Sequence, residues 1–101
     1  MNIIVCLTKD YARGSFGGSE VCFWPVPDAK KPISLLVGDS VFVVQDEFIR
    51  FSHKFVGFAV DPVCSDGSIS SGINLVLSYP PEKVNTSTRI PVFPHFRYIR
   101  G

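Results

Sequence analysis

The sequence predicts a mainly-β fold: a small barrel of five or six strands with short helical turns. Three observations predict it. Its apolar runs are short and end at Gly, Pro or Asp, as strands do. No segment can make a long amphipathic helix. A Gly38-Asp39 turn leads into a β-rich run, and about ten residues later a second such run carries Gly57 at its centre. Closure into a barrel is expected because the strands are too few for two full sheets, and closure removes exposed edges.

Each element follows from its residues. Asn2 to Thr8 is a continuous β-branched run, a buried central strand rather than a signal peptide, since it is short and lacks a basic lead. Lys9 to Gly18 is polar and Gly-rich and reads as an exposed loop. Glu20 to Trp24 is a second strand, with Val21 and Phe23 on one side, Cys22 and Trp24 on the other, ended by Pro25 and Pro27. Pro32 to Val37 reads as one helical or 3₁₀ turn, because proline suits a first helical position. Ser40 to Gln45 is the third strand. Asp46 to Ser52 reads as a hairpin loop or a strand extension, and Lys54 to Asp61 as the fourth strand. Gly57 fits a bend or bulge there, where a side chain would obstruct curvature.

Pro62 to Ser71 holds Asp66-Gly67 and several serines, a loop signature. Gly72 to Tyr79 is the fifth strand, with Ile73, Leu75 and Leu77 on one face and Asn74, Val76 and Ser78 on the other. Pro80-Pro81 breaks it. Glu82 to Arg89 reads as a short turn of helix, Ile90 to Pro94 as extended chain, and His95 to Ile99 as a last strand.

Composition narrows the class. With 101 residues, 46% hydrophobic and 19% charged, the chain is globular and fits a single domain over residues 1–101. A net charge of +1 argues against wrapping duplex backbone but leaves room for a local basic patch. Nine Phe and one Trp fill a compact core or supply a binding face. Cys6, Cys22 and Cys64 are odd in number and widely spaced, which suggests reduced thiols in a cytoplasmic protein. There is no Cys-x-x-Cys, and His53 and His95 lie far from any Cys in sequence, so no metal and no cofactor is expected. No run reaches the roughly 18 apolar residues of a membrane span.

The stretch Leu35-Leu36-Val37-Gly38-Asp39-Ser40-Val41-Phe42-Val43-Val44, followed by Phe55-Val56-Gly57-Phe58-Ala59-Val60, resembles the PUA-like superfamily of small barrels, and its EVE and ASCH branches in particular. The shared pattern is an apolar turn into Gly-Asp and a hydrophobic strand, then a strand with a central glycine. The chain departs from the EVE pattern in lacking a Trp in the first strand and an acidic or amide motif after it. The resemblance implies binding of RNA, or recognition of a modified base in nucleic acid, beside a nuclease or motor domain as partner.

Candidate contacts are few. Trp24 is the only Trp, and it would either stack on an extruded base or close one end of the core. Tyr11 would stack likewise and Lys9 would meet a phosphate, while the Gly-rich loop that holds Tyr11 and Arg13 is either an adaptable contact loop or a mobile surface loop. His95 to Arg100 alternates basic and aromatic residues, which puts Arg97 beside His95 as a phosphate contact or on a solvated charged face. Lys30, Lys31, Arg50 and Lys54 are scattered charges, and barrel closure would gather Arg50, Lys54 and Arg97 into one patch. Competing readings are a protein-interaction or small-ligand barrel, and a toxin-type ribonuclease with His53 or His95 as acid or base. Ser52 and Lys54 around His53 make no recognisable nucleophile arrangement, so an enzyme is the less favoured reading.

Overall fold

A computed structural model describes residues 1–6, 20–26, 31–91, 93 and 96–99. Seven strands follow in chain order: β1 (Asn2–Cys6), β2 (Val21–Pro25), β3 (Ser40–Gln45), β4 (Phe48–Val60), β5 (Ile73–Ser78), β6 (Glu82–Lys83) and β7 (Phe96–Ile99). They form one sheet in the order β2-β5-β4-β3-β1-β7, with β6 pairing β4 off this path. β1 runs parallel to β3, and every other pairing is antiparallel.

The shape comes from β4. Its first part, up to Lys54, pairs with β3, and its second part, from Phe55, pairs with β5. The register to β5 shifts between Phe55 and Gly57, a bulge that turns the strand as it changes partner. A second shift lies opposite Val43 and Val44. The two halves of the sheet therefore fold toward each other. Ile3, Val5, Val41 and Val43 of one half meet Cys22, Trp24, Leu75 and Leu77 of the other in one core, with Leu35 and Phe55.

The expected barrel does not close. Among the described residues the order ends at β2 and at β7, and no pairing joins them. Side chains fill the space between the halves, so the core forms without hydrogen-bonded closure. β2 manages its edge with Pro25 at its end, a residue that central strands exclude.

Three local expectations change. There is no helix among the described residues. Pro32 to Val37 makes turns instead, with the Leu35 amide donating to the Pro32 carbonyl at 3.2 Å. Glu82 to Arg89 contains β6, because β4 offers Phe51 and Ser52 an unoccupied edge before it reaches β5. The fourth strand starts at Phe48, and the connection from β3 is only Asp46 and Glu47.

That tight connection puts Asp46 at φ 53° and Glu47 at φ 69°. Both are left-handed, as a two-residue primed hairpin turn requires, yet glycine is missing from the second position. Glu47 is held by Arg89, whose Nε donates to its carboxylate at 2.5 Å on the surface. Glu47→Gly should relieve about 1–2 kcal/mol of left-handed strain. The exposed pair with Arg89 is worth at most about 1 kcal/mol. Glu47→Gly in an Arg89→Ala background is therefore expected to raise stability by about 1 kcal/mol in urea unfolding, and an unchanged or lower midpoint would refute the strain.

The two glycines of the motif behave differently. Gly38 has φ +92°, a conformation that costs a side chain dearly. Gly57 does not, and a Cβ there would meet nothing within 4 Å. The expectation that a side chain at Gly57 would obstruct the bend is therefore not met, since the bulge leaves room for it. Gly38→Ala should cost about 1–2 kcal/mol, while Gly57→Ala should be neutral or stabilise by up to about 1 kcal/mol. Thermal melts of the two variants decide it.

Candidate functional site

Residues directly opposite in a ladder share a face of the sheet. The registers of β7, β1, β3 and β4 therefore sort their side chains. One face carries Ile3, Val5, Val41, Val43, Phe51 and His53 into the core. The outer face carries two rows. Arg97, Ile4, Phe42 and Ser52 are opposite one another in turn, and Glu82 ends that row. Ile99, Asn2, Ser40 and Lys54 form the next row.

Half of the outer face is covered. Residues 84–91 together with Phe93 lie over it as a strap, the Val84 amide donating to the Arg50 carbonyl at 2.9 Å and the Ile90 amide to the Glu47 carbonyl at 2.7 Å. Beneath it Ile4, Val44 and Phe93 form a second small core, with Cys6, Phe42, Ile49, Ile90 and Ile99 packed against it. The strap covers the apolar end of the face because that is where its own apolar residues find partners.

The other half is a polar shelf. Asn2, Ser40 and Ser52 are half-buried there, and Lys54 and Arg97 are exposed. The Ser40 amide donates to Asn2 Oδ1 at 2.8 Å, and Lys54 Nζ donates to Ser40 Oγ at 3.0 Å. Arg97 lies over the Phe93 ring at 4.5 Å, at the boundary between shelf and strap. Arg97 and Lys54 stand on strands three interstrand steps apart, about 14 Å. Phe42 is half-buried between them. Cations at two ends of a face, with hydroxyls, an amide and a half-buried aromatic ring between them, suit a ligand with separated anionic groups and a planar unit.

The cations expected to gather do so only in part. Arg97 and Lys54 share the outer face. Arg50 lies at the bulge and stacks over Phe48 at 5.2 Å, a ring on the opposite face. Lys31 lies over Phe58 at 4.4 Å, against the rings of the main core. Trp24 is 5% exposed and packs in that core opposite Leu75, so the structure places its ring inside the domain and not on an open face. Lys9, Tyr11, Arg13, Lys30 and His95 lie outside the described residues. Sequence reasoning missed Asn2, Ser40, Phe42 and Ser52. Their alternation was visible, but the parallel pairing of β1 with β3 that unites them was not.

His53 belongs to the core. It is 2% exposed, its Nδ1 lies 2.6 Å from the Ser78 carbonyl, and Cys22 Sγ is 3.9 Å from the same nitrogen. A carbonyl only accepts, so Nδ1 carries a proton and donates it. A general acid or base must reach its substrate, and this ring faces the interior. Burial pushes the Cys22 thiol up to about 12, which leaves it unreactive. All three cysteines are free, and Cys6 is half-buried while Cys64 is buried. Among the described residues no cluster of three or more metal-ligating side chains occurs, and no helix is long and apolar enough to cross a membrane.

Asp39 holds the loop beside the shelf. Its carboxylate accepts from the Leu36 amide at 2.8 Å and from the Met1 amino group, and these two donors, the amino group first, keep its carboxyl below the usual aspartate range. Comparison with known proteins finds no matching family model, no matching curated protein and no matching solved structure.

Burial lowers the His53 pKa below 6.5, partly opposed by the Ser78 hydrogen bond. The unfolded chain then takes up a proton near pH 6.5 that the folded chain refuses. Stability is full above about pH 6.5, falls as pH drops toward the lower folded value, and is flat below it. Urea midpoints across this window should show that slope in the wild type and a reduced slope in His53→Gln. Equal slopes would place the titrating group elsewhere.

Proposed function

We propose that the shelf binds a short unpaired stretch of RNA or DNA laid across the strands. The observation that carries this reading is Arg97 and Lys54 at opposite ends of one sheet face, with Phe42, half-buried against the strap's small core, between them. Unpaired nucleic acid needs cations for its backbone and a ring for its bases, and a sheet face can offer both without a basic domain. The net charge of +1 fits a ligand held by few phosphates. Ser40, Ser52 and Asn2 supply hydrogen-bonding groups between the cations. Glu82, at the far end of the Arg97 row, keeps backbone away from that edge.

The resemblance of Leu35–Val44 and Phe55–Val60 to PUA-like barrels supports the same class of ligand, including a modified base. In that reading the chemistry is done by a partner, such as a nuclease or motor domain, and this chain supplies recognition. The described residues offer no exposed acid–base pair at the shelf, which favours binding over cleavage.

Fluorescence anisotropy with short unpaired RNA and DNA, plain and methylated, over a salt series tests the proposal. Two phosphate contacts predict a log–log salt slope of about −1.4. Arg97→Ala and Lys54→Ala should each weaken binding to all sequences and remove about 0.7 from that slope. No binding at low salt, or slopes unmoved by either variant, would overturn it.

A further inference from the structure

The outer face carries a cover that the main core does not use. The two apolar clusters share no residue. One lies between the two sheet halves. The other forms where Ile90 and Phe93 of the strap meet Ile4, Phe42, Val44 and Ile49 of the strands. The strap is bounded at both ends by pairing. Before it, β6 pairs with β4 at Ser52 and Phe51, and after it β7 pairs with β1. Neither ladder uses a residue of the strap.

The grip of the strap on the sheet is thin. Between the Val84 and Ile90 tethers, Asn85 to Arg89 are all exposed and belong to no strand. The Arg89 and Glu47 side chains of the ion pair are 73% and 43% exposed, so water competes for both. Phe93 is the deep contact, 5% exposed, and Ile90 is half-buried. A segment with few buried apolar contacts and solvent-exposed hydrogen bonds opens at far lower cost than a core strand.

We propose that residues 84–91 and Phe93 open and close as one unit, a hinged cover on the outer face, while the core between the sheet halves stays shut. β6 and β7 are its hinges. Burial of Phe93 and Ile90 favours the closed state, so the open state is the minor one. Opening lifts Phe93 off Ile4 and Val44 and takes its ring away from the Arg97 guanidinium, which lies 4.5 Å from it when closed. Phe42 then leaves the cluster that half-buries it. Ile4, Phe42, Val44 and Ile49 become an apolar lane that continues the polar shelf. The cover thus sets how much of the outer face another molecule can reach, whatever the chemistry of that molecule.

Residue-by-residue amide exchange of the full chain, followed by NMR in urea below the unfolding transition, tests the proposal. The Val84 and Ile90 amides should share one opening equilibrium. Their protection should be at least about tenfold below that of Leu75 and Leu77 in β5, and nearly flat in urea because little surface opens. Trp24, the only Trp, is buried in the main core, and its emission should stay native over that range. Phe93→Ala should speed exchange at Val84 and Ile90 together by about a hundredfold, the scale of losing a buried ring. It should also raise the emission of 1-anilinonaphthalene-8-sulfonate, a probe of exposed apolar surface, with the Trp24 spectrum unchanged. Ile90→Ala, which removes a half-buried side chain, is the milder variant and should speed both amides by about tenfold. Val84 and Ile90 protected as strongly as Leu75 and Leu77, with the same urea slope, would overturn the cover and make the strap part of the global fold. Unequal openings at the two amides, or rates unmoved by Ile90→Ala, would overturn it as well.

Discussion

β4 gives up β3 after Lys54 and takes β5 from Phe55, and the fold depends on how that exchange is held. The exchange point is clamped from the side. The Gly38 amide donates to the Phe55 carbonyl, and the Phe55 amide donates to the Asp39 carbonyl at 2.8 Å. Lys54, one residue earlier, donates its amide to Ser78 Oγ at 2.8 Å. Backbone groups that would be orphaned where the ladder breaks are thus satisfied by the Gly-Asp loop and by β5. The bend is kept at one place, and the two sheet halves close on His53, Phe55 and the aliphatics around them.

Much of the strand content was legible because it follows from local chemistry. The alternation in β5 puts Leu75 and Leu77 in the core, and the β-branched run of β1 is central as its composition demands. The Gly-Asp pair serves the turn it announces. Phe48 to Ser52 was ambiguous for a physical reason: the hairpin turn uses Asp46 and Glu47 in left-handed backbone without the glycine that would have marked it. Asn74 broke its alternation for another. It sits on the outer side of β5 yet is fully buried, because Ser70 folds over it and exchanges hydrogen bonds with its amide: Ser70 Oγ donates to Asn74 Oδ1 at 2.6 Å, and Asn74 Nδ2 donates to the Ser70 carbonyl at 3.0 Å. A polar residue tied down by a returning loop looks, in sequence, like one facing water.

The site was less legible than the fold. Alternation correctly placed Arg97 and Ile99 on one face of the last strand, but it could not say what lay beside them. Asn2 and Ser40 are distant in sequence and adjacent in space because β1 and β3 pair in parallel. Parallel neighbours need a crossover, and no local signal records which strands a crossover joins. Trp24 drew attention as the only Trp, yet its position opposite Leu75 makes it filling for the core.

The outer face shows why a polar shelf survives on a sheet this apolar. Cys6, Val44 and Ile49 lie toward the hairpin tip, where the chain after β6 is tethered at Arg50 and Glu47 and lays Ile90 and Phe93 over them. Asn2, Ser40, Ser52 and Lys54 lie toward the other end, where covering them would strand hydroxyl, amide and ammonium groups away from water. The strap therefore stops where the face changes from apolar to polar, and Arg97 over Phe93 marks that line. By the same reasoning a loop beside the shelf should carry polar residues, since nothing described covers it. Ile33, Leu36 and Val37 break that expectation on a loop whose Leu35, Leu36, Gly38 and Asp39 amides are hydrogen-bonded. Hydrophobic burial among the described residues gives no reason for those side chains.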